Sequence, residues 1–313
     1  MDIHKIVIPT PYDIGDVNAF LVKGEALSLF DAGPKTKEAY EALKEGISAA
    51  GYNMNDIEQV VLTHHHPDHA GWGDAFPNAK ILGHEYVDQF LRKSPEFLEY
   101  RNEFYRYHLK RNGIPEIFIE KYLENRKEMN YFGSNPLTHC LKEGDEVPGH
   151  PGMKVVYTPG HAQSHFIFHD EKTNSVIGGD LLLDSVASNP LIEPPIDLSY
   201  SRPKALLQYR DSLIKLRDLR VNKVYAGHGN DIDNVSELIN LRLQRDYLRA
   251  KQVYELLNEP KTVIEITKSL YSTIYKTQLG LTLSKAIGYL DLLESKGMVT
   301  AQLVDDINVF SRT

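Results

Sequence analysis

Four histidines and an aspartate fall within six consecutive positions, His64-His65-His66-Pro67-Asp68-His69, directly after the apolar run Val60-Val61-Leu62. Imidazole nitrogens suit zinc and its first-row neighbours, and a carboxylate adds a hard oxygen donor. In an extended segment the side chains at i and i+2 share a face, so His64 and His66 can reach one ion. Asp68 and His69 follow the bend at Pro67, where they can serve a second. A strand that feeds such a loop is a direct way to build a metal site, and it sets this stretch apart from a solvated histidine run.

Three later segments carry further donors in chain order: Thr158-Pro159-Gly160-His161, Gly178-Gly179-Asp180 and Gly227-His228-Gly229. Upstream lies Phe30-Asp31-Ala32-Gly33. Together with His64-x-His66-x-Asp68-His69, this order resembles the metallo-β-lactamase superfamily over roughly residues 17–229. The resemblance implies that His64, His66 and His161 bind one ion, that Asp68, His69 and His228 bind a second, and that Asp180 bridges them. Asp31 resembles an aspartate that supports the ligands, a role compatible with its place in a turn. The implied cofactor is two zinc ions per chain, with iron or manganese as alternatives. The implied reaction is hydrolysis by a metal-bridging hydroxide, formed near neutral pH because bound water is acidified. Asp68 is also a candidate catalytic residue, orienting the nucleophile or moving a proton.

The elements that must position these groups alternate between strand and helix. Short branched or aromatic runs predict strands at 3–9, 18–22, 26–30, 56–62, 79–82, 154–157, 164–169, 175–177 and 222–226. Helical spacing appears at 36–50 (Ala39, Leu43, Ile47), closed by Gly51, and again at 203–219. Donors at strand ends between helices fit an α/β fold, a four-layer αββα sandwich. His165 and His169 alternate with Phe166 and Phe168, which reads as strand facing rather than metal binding. His84 reads as structural. Residues 85–131 are long, charged and aromatic, and predict two or three helices inserted over the site. The loop 181–195 is expected to line its mouth.

Beyond Gly229 the pattern changes to helices at 235–257, 262–271 and 282–296 and a hairpin over 299–310, the outline of a small winged-helix-like domain. The expected division is therefore 1–233 and 234–313, in a chain of 313 residues. The net charge of −8 disfavours an extended nucleic-acid face, and acidic and basic residues nearly balance in the C-terminal part. With one cysteine, Cys140, no internal disulfide can form. No membrane-length apolar run or signal-peptide core is visible, so a cytoplasmic protein is expected. The expected partner is a small-molecule substrate, and the C-terminal domain is a candidate surface for homo-oligomers. The leading reading is a carbonyl hydrolase acting on a thioester, lactone or other ester. A phosphodiesterase or endoribonuclease and a non-catalytic metal-binding protein are the alternatives.

Overall fold

The computed structural model describes residues 2–124, 127–197 and 201–313. The chain opens with β1 (Asp2–Ile8), β2 (Val17–Lys23) and β3 (Leu27–Phe30), then α1 (Lys37–Ala49), β4 (Gln59–Val61) and β5 (Lys80–Gly83). Three helices follow, α2 (Glu85–Arg92), α3 (Pro95–Arg111) and α4 (Glu116–Glu124), and a short strand β6 (His139–Cys140). The second half holds β7 (Met153–Tyr157), β8 (Phe166–Asp170), β9 (Ser175–Gly179), α5 (Ala205–Asp218) and β10 (Lys223–Ala226). It ends with α6 (Val235–Leu256), β11 (Lys261–Thr262), α7 (Val263–Leu270), α8 (Leu279–Ser295), β12 (Val299–Val304) and β13 (Ile307–Arg312).

Among the described residues the strands form three sheets, ordered β1-β2-β3-β4-β5-β6, β10-β9-β8-β7 and β11-β13-β12. The first two pack face to face, and the two-residue period of a strand explains how. Phe20, Phe30, Val61, Phe166, Phe168 and Ile177 point into one apolar cluster between the sheets. Their neighbours Leu21, Leu29 and Val60 point outward onto Leu43 and Ile47 of α1 and Val87 and Phe90 of α2. On the other side Ile167, Val176 and Val224 meet Leu213 and Leu216 of α5. The result is helix, sheet, sheet, helix. Each fully buried Leu or Ile in these faces contributes roughly 1.5–3 kcal/mol.

Helix α1 forms where its spacing predicts. Thr36 caps it by accepting a 3.2 Å hydrogen bond from Ala39 N–H, and Gly51 follows its end with φ +87°. The insertion contains three α-helices, and its positions 125–126 lie outside the described residues. At the C-terminal end α6, α7, α8 and the β12–β13 hairpin occupy the predicted segments, with the capping box at Thr262 and Glu265 in place. Their apolar faces join the α5 side of the sandwich in one continuous core, where Leu206 and Tyr209 meet Ala286, Ile287 and Leu290.

Candidate metal centre

The seven predicted donors meet at one end of the two sheets, where the strands stop and the loops cross. The histidine loop joins the sheets: Phe166 N–H donates to Thr63 O at 2.8 Å and His65 N–H to Ser164 Oγ at 3.0 Å. The loop bearing His228 is held by Asn18, whose Nδ2 donates to Ala226 O at 2.8 Å and Gly229 O at 3.0 Å. Gly227 is dictated by space. A Cβ there would lie 2.3 Å from Asp180 Oδ1 and 2.9 Å from His69 Cε1, so only glycine lets this loop lie against the centre.

His64 Nε2 and His161 Nε2 each lie 3.0 Å from His66 Nδ1. Nitrogens at roughly 2.0–2.1 Å from a tetrahedral zinc stand about 3.3 Å apart, so this convergence has the dimensions of a ligand set. Asp68, His69 and His228 form a second group, with His228 Nε2 at 3.4 Å from Asp68 Oδ2. Asp180 stands between them. Its Oδ1 is 3.3 Å from His69 Nε2, and its Oδ2 is 3.5 Å from both His161 Nε2 and His228 Nε2.

Each of the five imidazoles is gripped from behind by its other nitrogen. His69 Nδ1–H donates to Asp31 Oδ2 at 2.7 Å, and His228 Nδ1–H to Asp16 O at 2.8 Å. Thr63 Oγ1–H donates to Asp31 Oδ2 at 2.8 Å, so the 2.9 Å contact between Thr63 Oγ1 and His64 Nδ1 has the imidazole as donor. His161 Nδ1 lies 2.8 Å from Ser188 Oγ, and His66 Nε2 lies 3.3 Å from Glu193 Oε1. With the rear nitrogen engaged, the forward nitrogen of each ring is directed at the shared space. Three of the forward atoms, His69 Nε2, Asp180 Oδ1 and His228 Nε2, are buried and have no hydrogen-bond partner among the described residues. Buried polar atoms left in that state cost about 1–3 kcal/mol each, which cations placed among them would remove.

Electrostatics divide the histidines: burial prevails at His64 and His161, whereas at His66, His69 and His228 burial is outweighed by the neighbouring carboxylates, which raise them above the ordinary histidine value. Burial, then the neighbouring His66, depresses His161 to about 3, and burial with His69 and His66 holds His64 well below the ordinary histidine value. Burial alone would raise Asp180, but His228 and His69 outweigh it and keep the carboxyl well below its usual range.

Three supporting residues stand outside the predicted ligand set. Asp31 acts as expected and more widely: with φ +60° it accepts from Thr63 N–H, Thr63 Oγ1–H and His69 Nδ1–H, and so steadies His69 directly and His64 through Thr63. His165 is buried beneath the centre, where its Nε2 accepts from Asp180 N–H at 3.1 Å and its Nδ1 meets Thr158 Oγ1 at 2.8 Å. Glu193 went unnoticed in the sequence. Its Oε1 meets His65 Nε2 at 3.0 Å as well as His66, and its Oε2 accepts from Gln163 N–H at 2.7 Å. Burial would raise its pKa, yet His65 and His66 hold it well below the usual carboxylate range. Its signal was faint: one acid in the proline-rich loop 190–195. His84 is structural, as expected, accepting at 3.0 Å from Tyr86 N–H at the start of α2.

A cavity of about 310 Å³ opens beside His65 and His66. Phe90, Tyr105 and Tyr122 of the inserted helices wall one side, and Leu281 of α8 another. The insertion therefore borders the donor cluster, as its position predicted.

A sequence profile of the metallo-beta-lactamase superfamily matches residues 12–228. The chain belongs to the metallo-beta-lactamase superfamily. It is 37% identical over 302 residues to the probable metallo-hydrolase YqjP of Bacillus subtilis, covering 96% of this chain and 94% of that protein. The crystal structure of the metallo-beta-lactamase family protein TTHA1429 from Thermus thermophilus is 27% identical with a TM-score of 0.79, covering 99% and 98% of the two chains. The atrochrysone carboxyl ACP thioesterase of Aspergillus fumigatus is a more distant relative, 23% identical over 248 residues, with 78% of this chain and 61% of that one covered. This superfamily member is a hydrolase of the metallo-hydrolase kind, and no described helix is long and apolar enough to cross a membrane.

Proposed function

We propose that this hydrolase is dinuclear and cleaves a small carbonyl substrate, a thioester, lactone or other ester. The reading assigns His64, His66 and His161 to one ion, Asp68, His69 and His228 to the other, and Asp180 to both, with zinc as the preferred metal. The observation that carries it is the set of five imidazoles, each gripped by its rear nitrogen, around the Asp180 carboxylate, with three of their forward atoms buried and without hydrogen-bond partners among the described residues. When bound, the metals supply Lewis-acid polarisation of the carbonyl and an activated water near neutral pH.

The chain's own residues do the rest. Asp31, Ser188, Asp16 and Glu193 hold the imidazole tautomers. Asp68, at the more open edge of its group, is placed to orient the nucleophile and to take a proton from it. The aromatic cavity beside His66 binds the substrate and sheds water from it, and one cation, Arg101, lines it. A polynucleotide would need an extended basic track, which this cavity does not offer. The thioesterase relative supports the same bond class. In this reading residues 1–233 are the catalytic domain, and 234–313 are a winged-helix-like domain that helps wall the cavity.

The test is a matched panel of thioesters, lactones, esters and phosphodiesters, run on metal-replete protein and on His161→Ala. Turnover of a carbonyl substrate that the substitution abolishes is the expected result. Phosphodiester or RNA cleavage that is faster by orders of magnitude, and equally dependent on His161, would overturn it.

A further inference from the structure

A second cavity, of about 100 Å³, lies on the other side of the His161 support. Helices α6 and α8 form its long walls, and the loop bearing Ser188 closes it. It is several times the volume of one water molecule, roughly 30 Å³. In a chain of net charge −8, this small space collects Arg242, Arg245, Arg249 and Lys285 against a single lining carboxylate, Asp246. The spacing explains three of the four cations, because positions 242, 245 and 249 lie along one face of α6. The fold explains the rest by laying α8, with Lys285, beside that face.

The cations are not consumed by the protein to the same degree. Arg242 is spent on the loop, where its Nη2 donates to Leu183 O, Asp184 O and Val186 O at 2.9–3.0 Å. Arg249 donates to Gln252 Oε1 at 2.9 Å. Asp246 is engaged by Arg210 at 3.4 Å. Lys285 is half-buried and has no hydrogen-bond or ion-pair partner among the described residues. Burial, and then Arg245 and Arg249, hold its ammonium below the usual lysine range. Three cations turned to one partly enclosed space, with its single lining acid already paired to Arg210, form an arrangement that an anion would relieve.

We propose that this cavity binds the phosphate group of a small molecule, held by Arg245, Arg249 and Lys285. Phosphate suits it because several donors must converge on one compact, multiply charged acceptor, and the phenol of Tyr271, which accepts from Tyr289, adds a donor at the wall. The cavity is a partly enclosed recess between two helices rather than a stripe, which favours a small ligand over a polynucleotide. Its place gives it a consequence. Ser188 both lines the cavity and holds His161 Nδ1 at 2.8 Å, so an occupant presses on the residue that orients a histidine of the donor cluster.

The test must separate this cavity from the metal centre, which also attracts oxyanions. Calorimetry with inorganic phosphate and pyrophosphate, at matched ionic strength, would be run on the metal-replete protein, on its His161→Ala variant, and on Lys285→Gln and Arg249→Gln. Crystals soaked in tungstate would locate the oxyanion by anomalous scattering. Binding is expected to persist in His161→Ala and to weaken about tenfold or more in Lys285→Gln and Arg249→Gln, the loss of one charge-assisted contact. Lys285→Arg should keep it, which controls for misfolding of the Gln variants. The anomalous peak should lie between α6 and α8. A peak confined to the donor cluster, binding that is lost in His161→Ala but kept in Lys285→Gln, or no binding at all would each overturn the assignment. A single-stranded RNA that bound far more tightly than pyrophosphate through the same residues would overturn the small-molecule reading. Inhibition kinetics with phosphate then distinguish the source. A raised KM marks the substrate's own phosphate, and an altered kcat at constant KM marks a separate ligand.

Discussion

Replacing Asp31 with Asn tests how the donor cluster is organised. Asparagine tolerates the left-handed backbone at this position, φ +60°, so the turn is retained and only the charge and one acceptor are lost. If the amide oxygen keeps the 2.8 Å bond from Thr63 N–H, the new NH2 group falls where Oδ2 stood. There it faces His69 Nδ1–H at 2.7 Å and Thr63 Oγ1–H at 2.8 Å, a donor set against donors. His69 must then give up its Nδ1–H tautomer, which puts the proton on the nitrogen facing Asp180, and the Thr63 hydroxyl loses the acceptor for its hydrogen. The lost bond is of the charge-assisted class, about 1.5–3 kcal/mol, or roughly tenfold to a hundredfold in metal affinity. The assay is competition with a chromophoric chelator, accompanied by 15N chemical shifts of the imidazoles. The expected result is weaker binding together with a tautomer change at His69. Unchanged affinity with His69 still protonated at Nδ1 would refute the reasoning.

Other expected outcomes follow from the same geometry. Gly227→Ala places a methyl group 2.3 Å from Asp180 Oδ1, so metal content should fall in elemental analysis while circular dichroism stays native. Glu193→Gln removes the charge and leaves one acceptor oxygen for the three donors His65, His66 and Gln163 N–H, and should lower metal affinity about tenfold with Glu193→Asp restoring part of it. Removing bound metal with a chelator should lower Tm, because buried His69 Nε2, Asp180 Oδ1 and His228 Nε2 then lose their compensation; calorimetry checks this. His84, depressed by burial to about 4, is neutral in the folded protein but takes up a proton near 6.5 when unfolded. The unfolded state binds more protons between these values, so His84 costs stability as pH falls from about 6.5 to about 4, by at most about 3 kcal/mol. Denaturant titration of chelator-treated protein should show this loss reduced in His84→Asn, which can cap the same helix without titrating.

Local physics made part of this protein legible in its sequence. His64 and His66 share a face because strand side chains repeat every two residues, and α1 begins at Thr36 and stops before Gly51 because capping involves only near neighbours. The inserted helices and the C-terminal helices and hairpin were readable for the same reason. The ordered donors His161, Asp180 and His228 each follow a strand, which marked them before their meeting was visible. What joins residues far apart in the chain was decided by the tertiary structure alone. Glu193 reaches His66 across 127 positions from an irregular loop, which has no periodicity to betray a direction. His165 looked like a strand residue, and it is the pairing of β8 with β9 in one sheet that puts its Nε2 under Asp180. The charge tally of the C-terminal part was nearly even, yet the fold lays Lys285 beside Arg245 and Arg249. A sum over a sequence is blind to position, whereas electrostatic energy depends on separation, and separation is set only when helices pack.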